Sequence, residues 1–208
     1  MRFGRARLFV AALTLLLTPV AARTQDARSA QKARQAQGEA QSYAELPNFQ
    51  KVNERLYRGG QPNKGGLQRL AAMGVKTIIN LRDDDARAAE EEREALSLGL
   101  RYFNLPLSRA GRPGVKRVDE VLALIGASQN QPVFIHCQRG ADRTGVVVAA
   151  YRIAHDGWTG ERALKEAEQY GLGWWQRGKK DFIEDYYRDH APSQPSKKTE
   201  PAPKGSRR

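Results

Sequence analysis

Apolar and polar positions along the chain follow two alternating periods. Val75-Lys76-Thr77-Ile78-Ile79-Asn80-Leu81, preceded by Gly74, is a short β-branched apolar run and predicts a buried strand. Arg101 to Leu105 and Pro132 to His136 predict two more strands, and Leu56-Tyr57-Arg58 a short first one. Between them the period lengthens to that of a helix. Leu67, Leu70 and Ala71 mark one helix and the acidic stretch 86–98 a second. Val115, Val118, Val121, Leu122 and Ile125 mark a third. Three more follow the last strand, at about 143–155, 160–170 and 179–189. Strands alternating with helices predict one α/β domain, with a central, mostly parallel twisted sheet of four or five strands and helices on both faces. Functional groups in such folds gather at the carboxyl ends of the strands.

The chain ends lack this pattern. Leu8 to Val20 is an apolar run behind Arg2, Arg5 and Arg7 and ahead of Val20-Ala21-Ala22, so residues 1–22 read as a signal peptide cleaved after Ala22. The run contains Pro19 and is shorter than the roughly 20 apolar residues a bilayer crossing needs. An exported protein, periplasmic or secreted, is expected. Residues 23–46 are rich in Gln, Ala and Arg and predict a flexible linker. Residues 191–208 contain four prolines and no aromatic, which predicts a disordered basic tail. The folded unit is expected to span 47–190, as a monomer.

Charge changes this picture little. Lys+Arg number 35 against 23 Asp+Glu, a formal net charge of +12, but the leader holds +3 of it, the linker +1 and the tail +4. The remaining +4 over 47–190 is no nucleic-acid footprint, and no nucleic-acid partner is expected. Lys197, Lys198, Lys204, Arg207 and Arg208 leave room for weak contact with an anionic surface. One cysteine excludes a disulfide framework and a cysteine zinc finger, and three scattered histidines argue against a transition-metal centre. No metal and no cofactor are expected.

The chemistry concentrates in His136-Cys137-Gln138-Arg139-Gly140-Ala141-Asp142-Arg143-Thr144-Gly145, which joins the PVFIH strand to an apolar helix. A short loop entering a helix leaves backbone N–H groups unpaired, and Gln138, Arg139, Gly140, Ala141, Asp142 and Arg143 are expected to converge as an anion-binding nest. Gly140 allows the close turn. Arg143 can fold back and hold two phosphate oxygens at once. The same field lowers a thiol from about 8.5 toward roughly 3.5–7.5, so Cys137 is expected to be a thiolate. A thiolate beneath a bound phosphate implies a phosphocysteine intermediate. Thr144 is placed to hydrogen-bond the sulfur when it leaves, and His136 to orient the loop.

H-C-x5-R-T-G is similar to the signature of the cysteine-dependent protein tyrosine and dual-specificity phosphatases. Leu56-Tyr57-Arg58-Gly59-Gly60-Gln61-Pro62, Ile79-Asn80-Leu81-Arg82, Pro106-Leu107 and Asp181-Phe182-Ile183-Glu184 resemble the small bacterial and fungal atypical dual-specificity subgroup. The resemblance implies metal-independent hydrolysis of phosphomonoesters on phosphorylated proteins, lipids or inositol phosphates. It also implies that Arg58 braces the phosphate loop from the first strand.

Most relatives of that kind carry an acidic proton donor on a mobile loop, here Pro106 to Pro113, which has no carboxylate. Asp142, inside the nucleophile loop, is the favoured replacement, as in phosphatases with Asp-Arg-Thr-Gly; its other reading is a brace paired with an arginine. Asp83, Asp84, Asp85 and Asp119 are the alternatives. Arg139, Arg109, Arg112, Lys116 and Arg117 are expected to ring the mouth with positive charge. Trp174 and Trp175 are expected to pack in the core. The competing function is a phosphate-recognising module with weak catalysis; a third reading is surface binding through the tail.

Overall fold

The computed structural model describes residues 43–190; the expected signal peptide, most of the linker and the tail lie outside them. Five strands form one sheet: β1 (Gln50–Asn53), β2 (Leu56–Gly60), β3 (Thr77–Asn80), β4 (Arg101–Asn104) and β5 (Val133–Cys137). Six helices are described: α1 (Gly66–Ala72), α2 (Ala86–Ser97), α3 (Val115–Gly126), α4 (Asp142–Asp156), α5 (Gly160–Gln169) and α6 (Arg177–His190). The sheet order is β1-β2-β5-β3-β4, with β1 antiparallel to β2 and all other pairs parallel.

Strand alternation builds two cores. Ile78 and Phe134 point to one face, where Leu67 and Leu70 of α1 and Ala95 of α2 cover them with Leu46, Val75 and Leu100. Ile79 and Ile135 point to the other, against Val118 and Val121 of α3, Val146 to Ala150 of α4, Ala163 of α5 and Phe182 of α6. Helices therefore lie on both faces, and β5 is central and wholly buried. Helix α4 is apolar on nearly every side because it too is surrounded. Among the described residues no helix is long and apolar enough to cross a membrane.

Two sequence expectations fail. Leu46 is 2 % exposed and belongs to the core with Tyr43 packed against it, so the folded body begins before residue 47. Trp174 and Trp175 are 76 % and 56 % exposed and meet edge to face at 5.8 Å. Leu172, in the same loop between α5 and α6, takes the buried position instead.

Candidate active site

Parallel pairing of β2 with β5 places Gly60 opposite Cys137, at the carboxyl edge of the sheet. There the chain turns through Gly140, whose φ is +71°. A Cβ at Gly140 would lie 2.4 Å from the Gly59 carbonyl carbon and 2.5 Å from the Gly60 nitrogen, so this turn requires glycine for both conformation and space. The loop is fastened to β2 at two further points. Gln61 donates its backbone N–H to the Gln138 carbonyl at 3.2 Å, and the Arg58 guanidinium donates to the Gly140 carbonyl at 2.9 Å. Arg58 is 1 % exposed and lies 4.3 Å from the Tyr170 ring centroid; burial pushes its guanidinium down to about 10 despite nearby Glu166. Arg58 thus bonds the loop from β2 through the Gly140 carbonyl.

Cys137 sits at the base of this turn, 3 % exposed. Burial pushes its thiol up, but the Thr144 hydroxyl and N–H, the Arg143 charge and the Gly140 N–H outweigh burial and hold it below its ordinary value. Thr144 is fully buried and its hydroxyl has no oxygen or nitrogen partner, which leaves it to the sulfur. Arg143 is 7 % exposed and donates from Nη1 to the Leu81 carbonyl at 3.1 Å, which aims the guanidinium across the pocket from the end of β3. Asp83 Oδ1 lies 4.0 Å from the same nitrogen.

Arg109, Cys137, Gln138, Arg139, Asp142, Arg143 and Gln176 line a cavity of about 200 Å³. Ala141 is buried behind it. A wider hollow of about 530 Å³ lies between α1 and α2, lined by Gln61, Lys64, Glu90 and Glu94 among others, and contains no nucleophile. Asp142 faces the small cavity with one oxygen 2.5 Å from Arg139 Nη2 and the other accepting the Gly173 N–H at 3.3 Å. The other candidate acids divide. Asp85 caps α2 by accepting the Ala88 N–H, Asp84 accepts from Asn104, and Asp119 accepts the Tyr186 hydroxyl at 3.0 Å. Asp83 alone among them stands near Arg143. The expected basic rim is reduced as well: Arg109 and Arg139 line the cavity, whereas Arg112 pairs with Asp185 and Arg117 with Glu120.

Two site residues were not legible in the sequence. Lys179 on α6 is 1 % exposed and donates to the Arg109 carbonyl at 3.0 Å and to Gln176 Oε1 at 2.9 Å. It thus ties the 106–113 loop over the cavity, and burial pulls its ammonium below the usual lysine range although Asp142 opposes this. Glu91, inside the acidic helix α2, is 5 % exposed and lies 3.2 Å from His136 Nε2. Neither carries a local signal, because each meets partners distant in sequence, the Arg109 carbonyl for Lys179 and His136 for Glu91.

Residues 28–185 match the family described as dual-specificity protein tyrosine phosphatase fused to NAD+ kinase. The chain belongs to this family. The matched span contains the Cys137–Arg143 loop described above. The chain is 33 % identical over 127 residues to the dual specificity protein phosphatase TpbA of Pseudomonas aeruginosa strain UCBPP-PA14, covering 61 % of this chain and 56 % of TpbA. It spans only a little over half of that relative. It is 30 % identical over 146 residues to the inositol diphosphatase DSP5 of Arabidopsis thaliana, covering 67 % of this chain and 70 % of that one. Among solved structures, P. aeruginosa TpbA superposes with a TM-score of 0.55 at 30 % identity, over 69 % of this chain and 84 % of TpbA. The catalytic core of the S. cerevisiae phosphatase SIW14 gives 0.63 at 22 % identity, over 70 % and 88 %, and shares the fold.

Proposed function

We propose that this protein is an exported, metal-independent phosphatase that cleaves phosphomonoesters through a phosphocysteine intermediate. The observation that carries the reading is the thiol of Cys137, held below its ordinary pKa at the floor of a cavity capped by Arg143. The phosphoryl oxygens are held by the loop N–H groups and by Arg143, which strengthen their contacts as charge builds on the equatorial oxygens. The Cys137 thiolate attacks phosphorus, the bond from phosphorus to the leaving oxygen breaks, and that oxygen takes a proton from Asp142. The Asp142 carboxylate then removes a proton from water, which attacks phosphorus. The S–P bond breaks, inorganic phosphate leaves, and the departing thiolate takes up the Thr144 hydroxyl hydrogen bond.

Asp142 is assigned the acid because it alone of the candidate carboxylates lines the cavity with the sulfur. In full chain assayed with chelator, Cys137→Ser and Arg143→Ala should abolish release of phosphate from p-nitrophenyl phosphate. Asp142→Asn should spare that activated ester but slow an alkyl phosphate by about 10²-fold or more. Turnover that needs metal and survives Cys137→Ser would remove the reading; equal loss on both esters would return Asp142 to the role of brace.

A second substrate reading draws on one observation, the absence of a carboxylate from residues 106–113. A leaving phosphate needs no proton, so a diphosphate substrate tolerates this loop, and relatives named inositol diphosphatases make inositol diphosphates the first ones to assay. Export rests on the leader at residues 1–22 and is checked by fractionating cells for the full chain.

A further inference from the structure

The nucleophile loop is held from outside by three donors, and one of them comes from ahead of β1. Gln61 and Arg58 reach the Gln138 and Gly140 carbonyls as described above. The carbonyl between those two, that of Arg139, accepts from the Asn48 side-chain amide at 3.2 Å. The same Nδ2 donates to the Tyr170 carbonyl at 3.1 Å, just past the end of α5. Both neighbours are carbonyl oxygens, so only the NH2 side of the amide fits against them, and each of its two protons has an acceptor. The backbone places Asn48 for this. Leu46 is buried in the core, the Pro47 carbonyl accepts the Gly60 N–H at 2.7 Å, and the Phe49 ring stacks on Tyr57 and Phe134. Between these anchors Asn48 takes a φ of +52°, the one non-glycine residue with positive φ among the described residues. Asn tolerates that region better than most side chains, and such conformations persist where the surroundings fix them and gather at functional sites. Asn48 itself is exposed, yet its two bonds reach 91 and 122 residues along the chain.

A trans peptide sets its C=O and N–H in opposite directions. Holding the Arg139 carbonyl outward therefore turns the Gly140 N–H inward, and that N–H points at the Cys137 sulfur. Gln61 and Arg58 do the same for the N–H groups of Arg139 and Ala141. We infer that Asn48 is a positioning residue for the phosphatase reaction: it aims the Gly140 N–H at the reacting centre and couples the nucleophile loop to the segment after α5. This rests on the function proposed above. The segment after α5 supplies the Gly173 N–H to Asp142 and Gln176 to the cavity wall. One amide thus fixes the spacing between the loop proposed to hold phosphate and the wall beside the proposed acid.

Two variants of the full chain separate the amide from the backbone. Asn48→Gly keeps the left-handed φ and removes the donors, whereas Asn48→Ala removes the donors and resists the φ. Water can take over part of the bonding at an exposed site, so the expected loss is that of about one hydrogen bond. In Asn48→Gly, kcat/KM for p-nitrophenyl phosphate should fall roughly fivefold and the Kd for tungstate, measured by calorimetry, should rise roughly fivefold. Asn48→Ala should lose at least as much. A merely structural role would lower the melting midpoint without moving tungstate affinity well below it. Folded Asn48→Gly with wild-type turnover and tungstate affinity would overturn the inference, whatever Asn48→Ala does. In wild type the Gly140 amide resonance should shift when tungstate is added. An unmoved Gly140 amide would overturn the inference equally, and this measurement decides should Asn48→Gly fail to fold. The two ideas fail separately: tungstate binding that depends on Asn48 without release of phosphate removes the phosphatase and keeps the role of Asn48, whereas turnover indifferent to Asn48→Gly does the reverse.

Discussion

Replacing Gly140 by alanine tests whether the cradle depends on the close approach of two backbones. The added methyl carbon would lie 2.4–2.5 Å from three backbone atoms of Gly59 and Gly60, none of which can rotate away. The left-handed φ of +71° costs a non-glycine residue about 1–2 kcal/mol, and forced overlap in a packed region costs about 1–3 kcal/mol more. The sum, roughly 2–5 kcal/mol, should lower the melting midpoint of a domain this size by about 5–15 °C. Activity should fall further than stability. Relief of the overlap must move the loop off β2, breaking the Gln61 to Gln138 and Arg58 to Gly140 hydrogen bonds and displacing the N–H groups proposed to hold phosphate. A misplacement of about 1 Å costs on the order of 10²-fold in rate. Calorimetry and p-nitrophenyl phosphate turnover, measured well below the new midpoint, separate the two effects. A Gly140→Ala protein that melts within about 2 °C of wild type and turns over normally would refute the account of the loop.

Other outcomes follow from the same geometry. Thr144→Val should slow hydrolysis of the phosphoenzyme more than its formation, seen in rapid-quench experiments as a burst followed by a slower steady state. Lys179→Met should leave the Arg109 carbonyl without its donor, at a cost of about 1–3 kcal/mol, and raise KM by loosening the loop that carries Arg109; unchanged denaturation and KM would show that the tether is idle. Because the folded thiol lies below its unfolded value, it adds stability that is present at high pH and fades as pH falls through the native value. The stability difference between wild type and Cys137→Ser should therefore shift in favour of wild type as pH rises toward about 8.5. Asp85→Ala should cost about 1 kcal/mol through loss of the α2 cap while leaving turnover intact.

The parts of this fold that were legible in the sequence are those with a strong period or a local chemical reason. The four strands read from the sequence occupy their expected places; in β3 and β5 β-branched residues fill both faces of the parallel sheet. The helices follow the same logic, and Asp142–Thr144 begins α4 as the loop chemistry requires. Strand β1 was missed because Gln50-Lys51-Val52-Asn53 has no apolar alternation; it exists by antiparallel pairing to β2 at the sheet edge. Glu91 and Lys179 went unread and the exposed tryptophans were misread for one reason. Burial of a polar group, or exposure of an apolar one, is set by what the remote chain brings alongside. Gln61, Tyr102 and His136 lie against Glu91, and the carbonyl of Arg109 lies against Lys179.

The contact of Gly140 with Gly59 and Gly60 also bears on how the protein acquires its reactivity. The cradle is shared between segments that meet only after three helices and two strands have been threaded between them, so it has no existence in a half-assembled chain. Nascent or partly unravelled molecules should hold an ordinary, sluggish thiol, and reactivity should switch on with the last long-range pairing event. On the proposed function, an oxyanion such as vanadate should then recognise the finished protein alone, which would make its concentration a handle on the folding equilibrium itself.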